Sequence, residues 1–218
     1  MKRLLERSHA LLTAPVGATP RVLALVAALL VVPTYVAPLW NLTMFAPQYG
    51  DGLRLDIYSY KLEGGNHGQD LKEINLLNHY IGMHDLAEED FREFKWMPFV
   101  MGGLALVFLR AAVMGRVLDL LDSLVVFTWF GLFSLWSFGY KLYSYGHDLA
   151  PGAPVKVPPF MPPMIGSAQL ANFEVYSYPG LGSYALFAVG LALAVALALG
   201  VRATLRRSAA APLPRGGP

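Results

Sequence analysis

The chain has 218 residues, 55% of them hydrophobic, and a mean hydropathy of +0.44, which is more apolar content than a soluble domain of this size needs. Its formal net charge is only +2, without the concentrated positive charge of a nucleic-acid binder. With no cysteine, it can hold no disulfide, no cysteine-ligated iron–sulfur cluster, no CxxCH haem and no thiolate nucleophile.

The apolar excess is gathered in four runs. A hydrocarbon core of about 30 Å needs roughly 20 apolar helical residues, and residues 22–40, 97–115, 117–140 and 181–201 reach or approach that length. The pattern predicts an α-helical membrane protein of four transmembrane helices. The first run follows a tail, residues 1–21. Its "TYVAPLW" end lacks a small-x-small cleavage pattern because Tyr35 is bulky, so it reads as an uncleaved signal anchor. Trp40, Trp96 and Tyr140 fall at run ends, where amphipathic rings anchor at the lipid interface.

Charge gives the orientation. Lys2, Arg3, Arg7 and Arg21 precede the first run, Arg110 and Arg116 surround the turn between the second and third, and Arg202, Arg206, Arg207 and Arg215 follow the fourth. These are ten of the 17 basic residues, accompanied by only Glu6, Asp119 and Asp122 of fifteen acids. The positive-inside rule places both termini, including the tail 202–218, in the cytoplasm. Residues 41–96 and 141–180 then face outward. Arg110, Asp119 and Asp122 lie close enough to the cytoplasmic end to snorkel or to pair across the hairpin.

Segment 41–96 carries ten acids against five basic residues, a net charge of −5, and is too long for a plain connector. "LRLDIYSY", Leu53 to Tyr60, alternates like a strand, and "EGGNHG" supplies a turn. Asp70 with Glu73 resembles a capping box. Leu71, Ile74 and Leu77 predict a helix over 71–80 that Gly82 ends. A second Asp-x-x-Glu, Asp85 to Glu88, predicts an amphipathic helix leading to Trp96. In segment 141–180, seven prolines between Pro151 and Pro179 exclude a long helix, while "NFEVYSY" reads as a strand. Tyr-Ser-Tyr recurs at Tyr58, Tyr143 and Tyr176, either as aromatic strands that pair or as a chance recurrence in a Tyr-rich chain. The two segments together predict a small mixed α/β extracytoplasmic cap.

The ligand-rich stretch is "INLLNHYIGMH", Ile74 to His84. Asn75, His79 and Met83 are four apart and would share a face of one helix, with His84 adjacent, His67 in the glycine turn and His147 after the third run. No nucleophile–base arrangement surrounds them, so hydrolytic chemistry is not suggested and no enzyme activity is predicted. Imidazole with thioether suits copper, the thioether favouring Cu(I). Met161 and Met164, on the proline frame "FMPPMIG", could complete a His79, Met83, His84, Met161, Met164 metal site. The competing reading makes them packing and caps.

The phrases "APQYGDGLRLDIYSYKLEGG", "DLKEINLLNHYIGM" and "GHDLAPGAPVKVPPFMPPMIGSAQLANFEVYSYPG" resemble a family of small four-span bacterial membrane proteins encoded with nitrous oxide reductase and its maturation factors. The likeness covers both outward segments and is most specific in "INxLNHYIGM", where Asn75, Asn78, His79, Tyr80, Gly82 and Met83 match. It implies residence in the bacterial cytoplasmic membrane and a role beside a periplasmic copper enzyme whose sites need copper and sulfide. His84, Met161 and Met164 rest on their chemistry, outside the resemblance.

Two functions follow. One is a membrane-anchored accessory protein that binds or passes copper to a periplasmic copper enzyme or its maturation factors. The other is a metal-free scaffold or docking subunit of a respiratory assembly, with Asn75, Asn78, Tyr80 and His147 as partner-binding residues. A third, quinol-linked electron transfer, lacks the paired intramembrane histidines that haem would need, since all five lie outside the four runs.

Overall fold

The computed structural model describes residues 2–170 and 172–210. Arg215, in the expected C-terminal tail, lies outside the described residues. The elements run α1 (Lys2–Thr13), α2 (Ala18–Leu29), β1 (Trp40–Ala46), β2 (Tyr49–Ile57), β3 (Leu62–Gly64) and α3 (Gln69–Tyr80). They continue with α4 (Glu93–Met114), α5 (Val117–His147), β4 (Gly166–Leu170), β5 (Phe173–Pro179) and α6 (Leu181–Ala210).

Four helical stretches are long and apolar enough to cross a membrane: Ala18–Tyr35, Glu93–Met114, Val117–His147 and Leu181–Ala210. The first differs most from its expected bounds. Pro33 lacks the N–H that would continue the helix, so α2 ends at Leu29, a short 3₁₀ turn covers Val32–Tyr35, and Trp40 opens a strand. The third extends past Tyr140, so His147 is the last residue of α5.

One compact unit comprises the described parts of residues 1–31, 102–129 and 187–218. Ala24, Ala111 and Ala196 are fully buried there beside Val16, Val117 and Leu120, small side chains that let helix backbones approach closely. Arg21 donates from Nε to the Ala112 carbonyl (2.7 Å) and from Nη2 to that of Val113 (2.6 Å). It thereby satisfies carbonyls that the end of α4 leaves open. Arg110 pairs with the buried Asp119 at 2.8 Å across the tight turn before α5, while Asp122 is exposed.

The second unit comprises residues 32–101 and 130–186. Its centre is an antiparallel sheet of order β3-β2-β1-β5-β4. The middle strand β1 pairs with β2 from Trp40↔Ile57 to Ala46↔Tyr49, and with β5 from Trp40↔Pro179 to Phe45↔Glu174. Segments 41–96 and 141–180 therefore build one domain, with β1–β5 as its seam. Neither β1 nor β4 is among the strands the sequence predicts. Met44, Leu53, Leu55, Phe173 and Val175 from the strands meet Ile74, Leu77 and Ile81 from α3 and its end in one buried core.

The three Tyr-Ser-Tyr triplets do not form a set of strands: Tyr58 follows β2, Tyr143 lies in α5, and only Tyr176 is in a strand. Two of their central serines are buried anchors instead. Ser59 Oγ donates to the Thr34 carbonyl (2.9 Å), and Ser177 Oγ accepts from Trp40 Nε1 (2.8 Å) while donating to the Met164 carbonyl (2.9 Å).

Candidate functional site

The ligand-rich stretch is shaped by how α3 stops. The Met83 N–H bonds back to the Asn78 carbonyl (2.9 Å) and the Gly82 N–H to that of His79 (3.2 Å). This is the paired closure of a helix whose next residue is left-handed. Gly82 holds φ +84°, and a Cβ there would come 3.0 Å from the Ala150 carbonyl oxygen and the Ala153 Cβ. The space is needed because Ala150 N–H bonds to the Gly82 carbonyl (2.8 Å) and Val155 N–H to that of Tyr80 (3.1 Å). Gly146 plays a similar part on α5: a Cβ there would lie 2.0 Å from the Phe160 carbonyl oxygen, whose own N–H bonds to the Gly146 carbonyl (3.0 Å). The proline-rich segment is thus laid over the end of α3 and fastened to α5.

The same closure corrects the expected helix face. Met83 comes directly after the left-handed Gly82, where the chain leaves the helix, so Asn75, His79 and Met83 do not share one helical face. Such a residue ordinarily folds its side chain back onto the helix it follows, and Met83 packs half-buried against the sheet core. Asp70 is not the cap of α3. It is buried in the first turn, where its carboxylate accepts from Arg54 N–H (2.9 Å) and Asn66 Nδ2 (2.7 Å), tying the entry loop to β2. Left-handed conformations at Asn66 and His67 (φ 50° and 57°) bring the chain into the helix.

The expected amphipathic helix after Asp85 is also absent from its place. Asn75 clamps the backbone of Leu86, accepting its N–H (2.8 Å) and donating to its carbonyl (3.3 Å), a pairing that holds Leu86 extended. Only a short turn at Glu88–Asp90 follows, and α4 starts at Glu93. Residues 85–90 are fixed at three further points. Tyr145 OH donates to the Asp85 carbonyl (3.3 Å), Lys141 Nζ to the Asp90 carbonyl (2.6 Å), and Glu88 Oε1 accepts from the Leu62 N–H of edge strand β3 (3.0 Å). Asp85, Glu88, Glu89 and Asp90 are all exposed. The result is an acidic loop with a fixed backbone, one carboxylate bonded to β3 and three exposed acids, Asp85, Glu89 and Asp90.

The remaining predicted ligands are dispersed and share no contact with one another. His79 is exposed at the end of α3. His84 lies 3.3 Å from Asp148, both exposed. Met161 is 47% exposed, whereas the Met164 methyl packs so closely on α5 that a Cβ at Gly139 would come within 2.9 Å of it. The Met-x-x-Met pair therefore presents one thioether outward and one inward. Tyr80 is exposed, and His147 stacks on Tyr143 at a centroid distance of 3.8 Å. Asn78 is 1% exposed and has its amide inside the domain. Among the described residues no three His, Asp or Glu side chains gather into a metal-binding group. The chain matches no family model, and no curated protein or solved structure is similar to it.

Proposed function

We propose that this chain is a membrane-anchored accessory protein that docks a periplasmic copper enzyme or one of its maturation factors, with the sheet domain outside the bacterial cytoplasmic membrane and both termini inside. The setting, nitrous oxide reductase and its maturation, comes from the resemblance of the sheet-domain segments. The observation that carries the docking role is the acidic loop 85–90, whose backbone is held from α3 and α5 and whose Glu88 carboxylate is bonded to β3, while Asp85, Glu89 and Asp90 are exposed. A loop already ordered loses little entropy on binding, and clustered like charge steers a complementary partner and sets the association rate. Tyr80 and His147, the last residues of α3 and α5, add ring contacts.

The test is association of the full-length protein in nanodiscs with the purified reductase and, separately, with its maturation factors, comparing wild type with Glu89→Lys/Asp90→Lys. We expect binding whose rate falls with salt and falls at least tenfold in the variant, as rim charges act mainly on association. Binding unaffected by salt and by the charge reversal would overturn the docking surface.

A second reading, copper delivery, is favoured by His79 and His84, two exposed imidazoles flanking the Gly82 turn. Cu(I) competition with a chromogenic chelator tests it. One-to-one binding lost in His79→Ala would support this reading, and no binding above the detergent background would sink it. Met83→Ala is a poorer probe than His79→Ala, because Met83 also packs against the core.

A further inference from the structure

Within the helical unit, an open groove of about 590 Å³ runs along α6 beside Leu124 of α5, a size within the roughly 300–1,000 Å³ of small-molecule sites. Leu124, Leu197, Ala198 and Val201 give it apolar walls, and Arg202 and Arg206 lie toward the C-terminal end of α6. Ala198, Arg202 and Arg206 are four apart and so follow one another along one helical face. Their place on the helix fixes what surrounds them. Residues 181–201 contain no Asp, Glu, Lys, Arg or His. At 1.5 Å per residue this run is about 31 Å long, which matches a hydrocarbon core of about 30 Å. Arg202 therefore falls where acyl chains give way to headgroups, with Arg206 one turn further on.

Other arginines of this unit are engaged by the protein: Arg21 bonds to the carbonyls of Ala112 and Val113, and Arg110 pairs with Asp119. Arg202 and Arg206 are exposed and have no hydrogen bond or ion pair among the described residues. The helix dipole does not account for Arg202, because that effect acts within the last turn and Arg202 lies eight residues before Ala210. Like charges four apart also repel each other, a cost that a bound anion relieves. We infer that the groove binds one phospholipid of net negative charge, its phosphate between the two guanidinium groups and an acyl chain along Ala198 and Val201. Guanidinium groups match phosphate oxygens bidentately, and basic pockets between membrane helices suit such headgroups. The inference rests on α6 crossing a membrane and is independent of which partner the sheet unit docks.

The test compares phosphatidylglycerol with phosphatidylcholine of the same acyl chains, each titrated onto the full-length protein in detergent micelles and counted by native mass spectrometry. Wild type should bind the first phosphatidylglycerol about 25-fold more tightly, from about fivefold per arginine. Arg202→Gln/Arg206→Gln should bring the ratio of the two lipids close to one. Ala198→Phe, which fills the groove, should weaken both lipids and leave their ratio unchanged. Inorganic phosphate should not displace the bound lipid. Equal binding of the two lipids by wild type, or a ratio unchanged in the double variant, would overturn the inference. So would displacement by inorganic phosphate, which would mark a free-anion site, or unaltered lipid binding in Ala198→Phe. The wild-type comparison stands even if a variant fails to fold.

Discussion

The helical unit and the sheet unit bury their cores with different mixtures of residues. In the first, Ala24, Ala27, Ala111 and Ala196 are fully buried beside large side chains such as Phe108, Leu120 and Leu193. In the second, Leu55, Phe173 and Ile81 fill the equivalent interior. Lipid tails are as apolar as leucine, so helices in a bilayer gain little from burying large aliphatic groups and more from close backbone approach. A sheet domain in water is stabilised mainly by the apolar area it removes from solvent, at roughly 25 cal/mol per Å². One chain therefore uses two packing rules, and the change falls within α4, α5 and α6, each of which contributes residues to both units.

The largest effect that would sharpen this contrast is truncation in the sheet core. Phe173→Ala should destabilise the sheet unit by about 3–5 kcal/mol, seen as proteolytic cleavage between residues 141 and 180 under conditions where the wild type resists. The helical unit should respond to the reverse change. Ala111→Leu forces bulk into a zero-exposure contact and should cost about 1–3 kcal/mol, read as a lower unfolding midpoint in mixed micelles with the sheet unit's protease resistance kept. If truncation and overpacking cost the same in both units, the distinction fails.

The α3 region shows why part of this was legible in the sequence. Leu71, Ile74 and Leu77 carry helical spacing locally, and the observed helix, Gln69–Tyr80, follows it closely. The four apolar helices were legible for the same reason, since hydropathy is a property of contiguous residues. What the sequence obscured depends on distant partners. Trp40 looks like an interfacial anchor until β5, more than 130 positions on, pairs with β1. Asp85 to Glu88 imitates a helix start, but the segment is held instead by contacts from Asn75, Leu62, Lys141 and Tyr145, which are distant in sequence. Spacing alone puts Met83 on one face with His79, because it does not reveal the left-handed residue between them.

The smallest expected effect is on pH dependence. A hydrogen bond from Tyr49 holds the Glu73 carboxyl below its ordinary value of 4.5, and a hydrogen bond from Lys61 does the same for Glu63. Carboxyls depressed in the folded state add stability that is present above pH 4.5 and is lost as pH falls through their lowered values. Both groups are at the surface, where solvent screens the gain. Melting of the sheet unit should therefore drop slightly more steeply below pH 4.5 than that of the helical unit, and Tyr49→Phe should reduce the difference. An equal acid response of the two units would remove electrostatics from the comparison.

The β1–β5 seam also bears on how the molecule is made. During synthesis β1 is available early, but its partner emerges only after α4 and α5 have been produced. Until then the future central strand has an open edge, which is the kind of surface that pairs with the wrong chain. Pairing across so much sequence is also slow to form. The domain therefore stays an unfinished half-sheet until β4 and β5 have been made, and the time taken to produce α4 and α5 sets how long that edge is open.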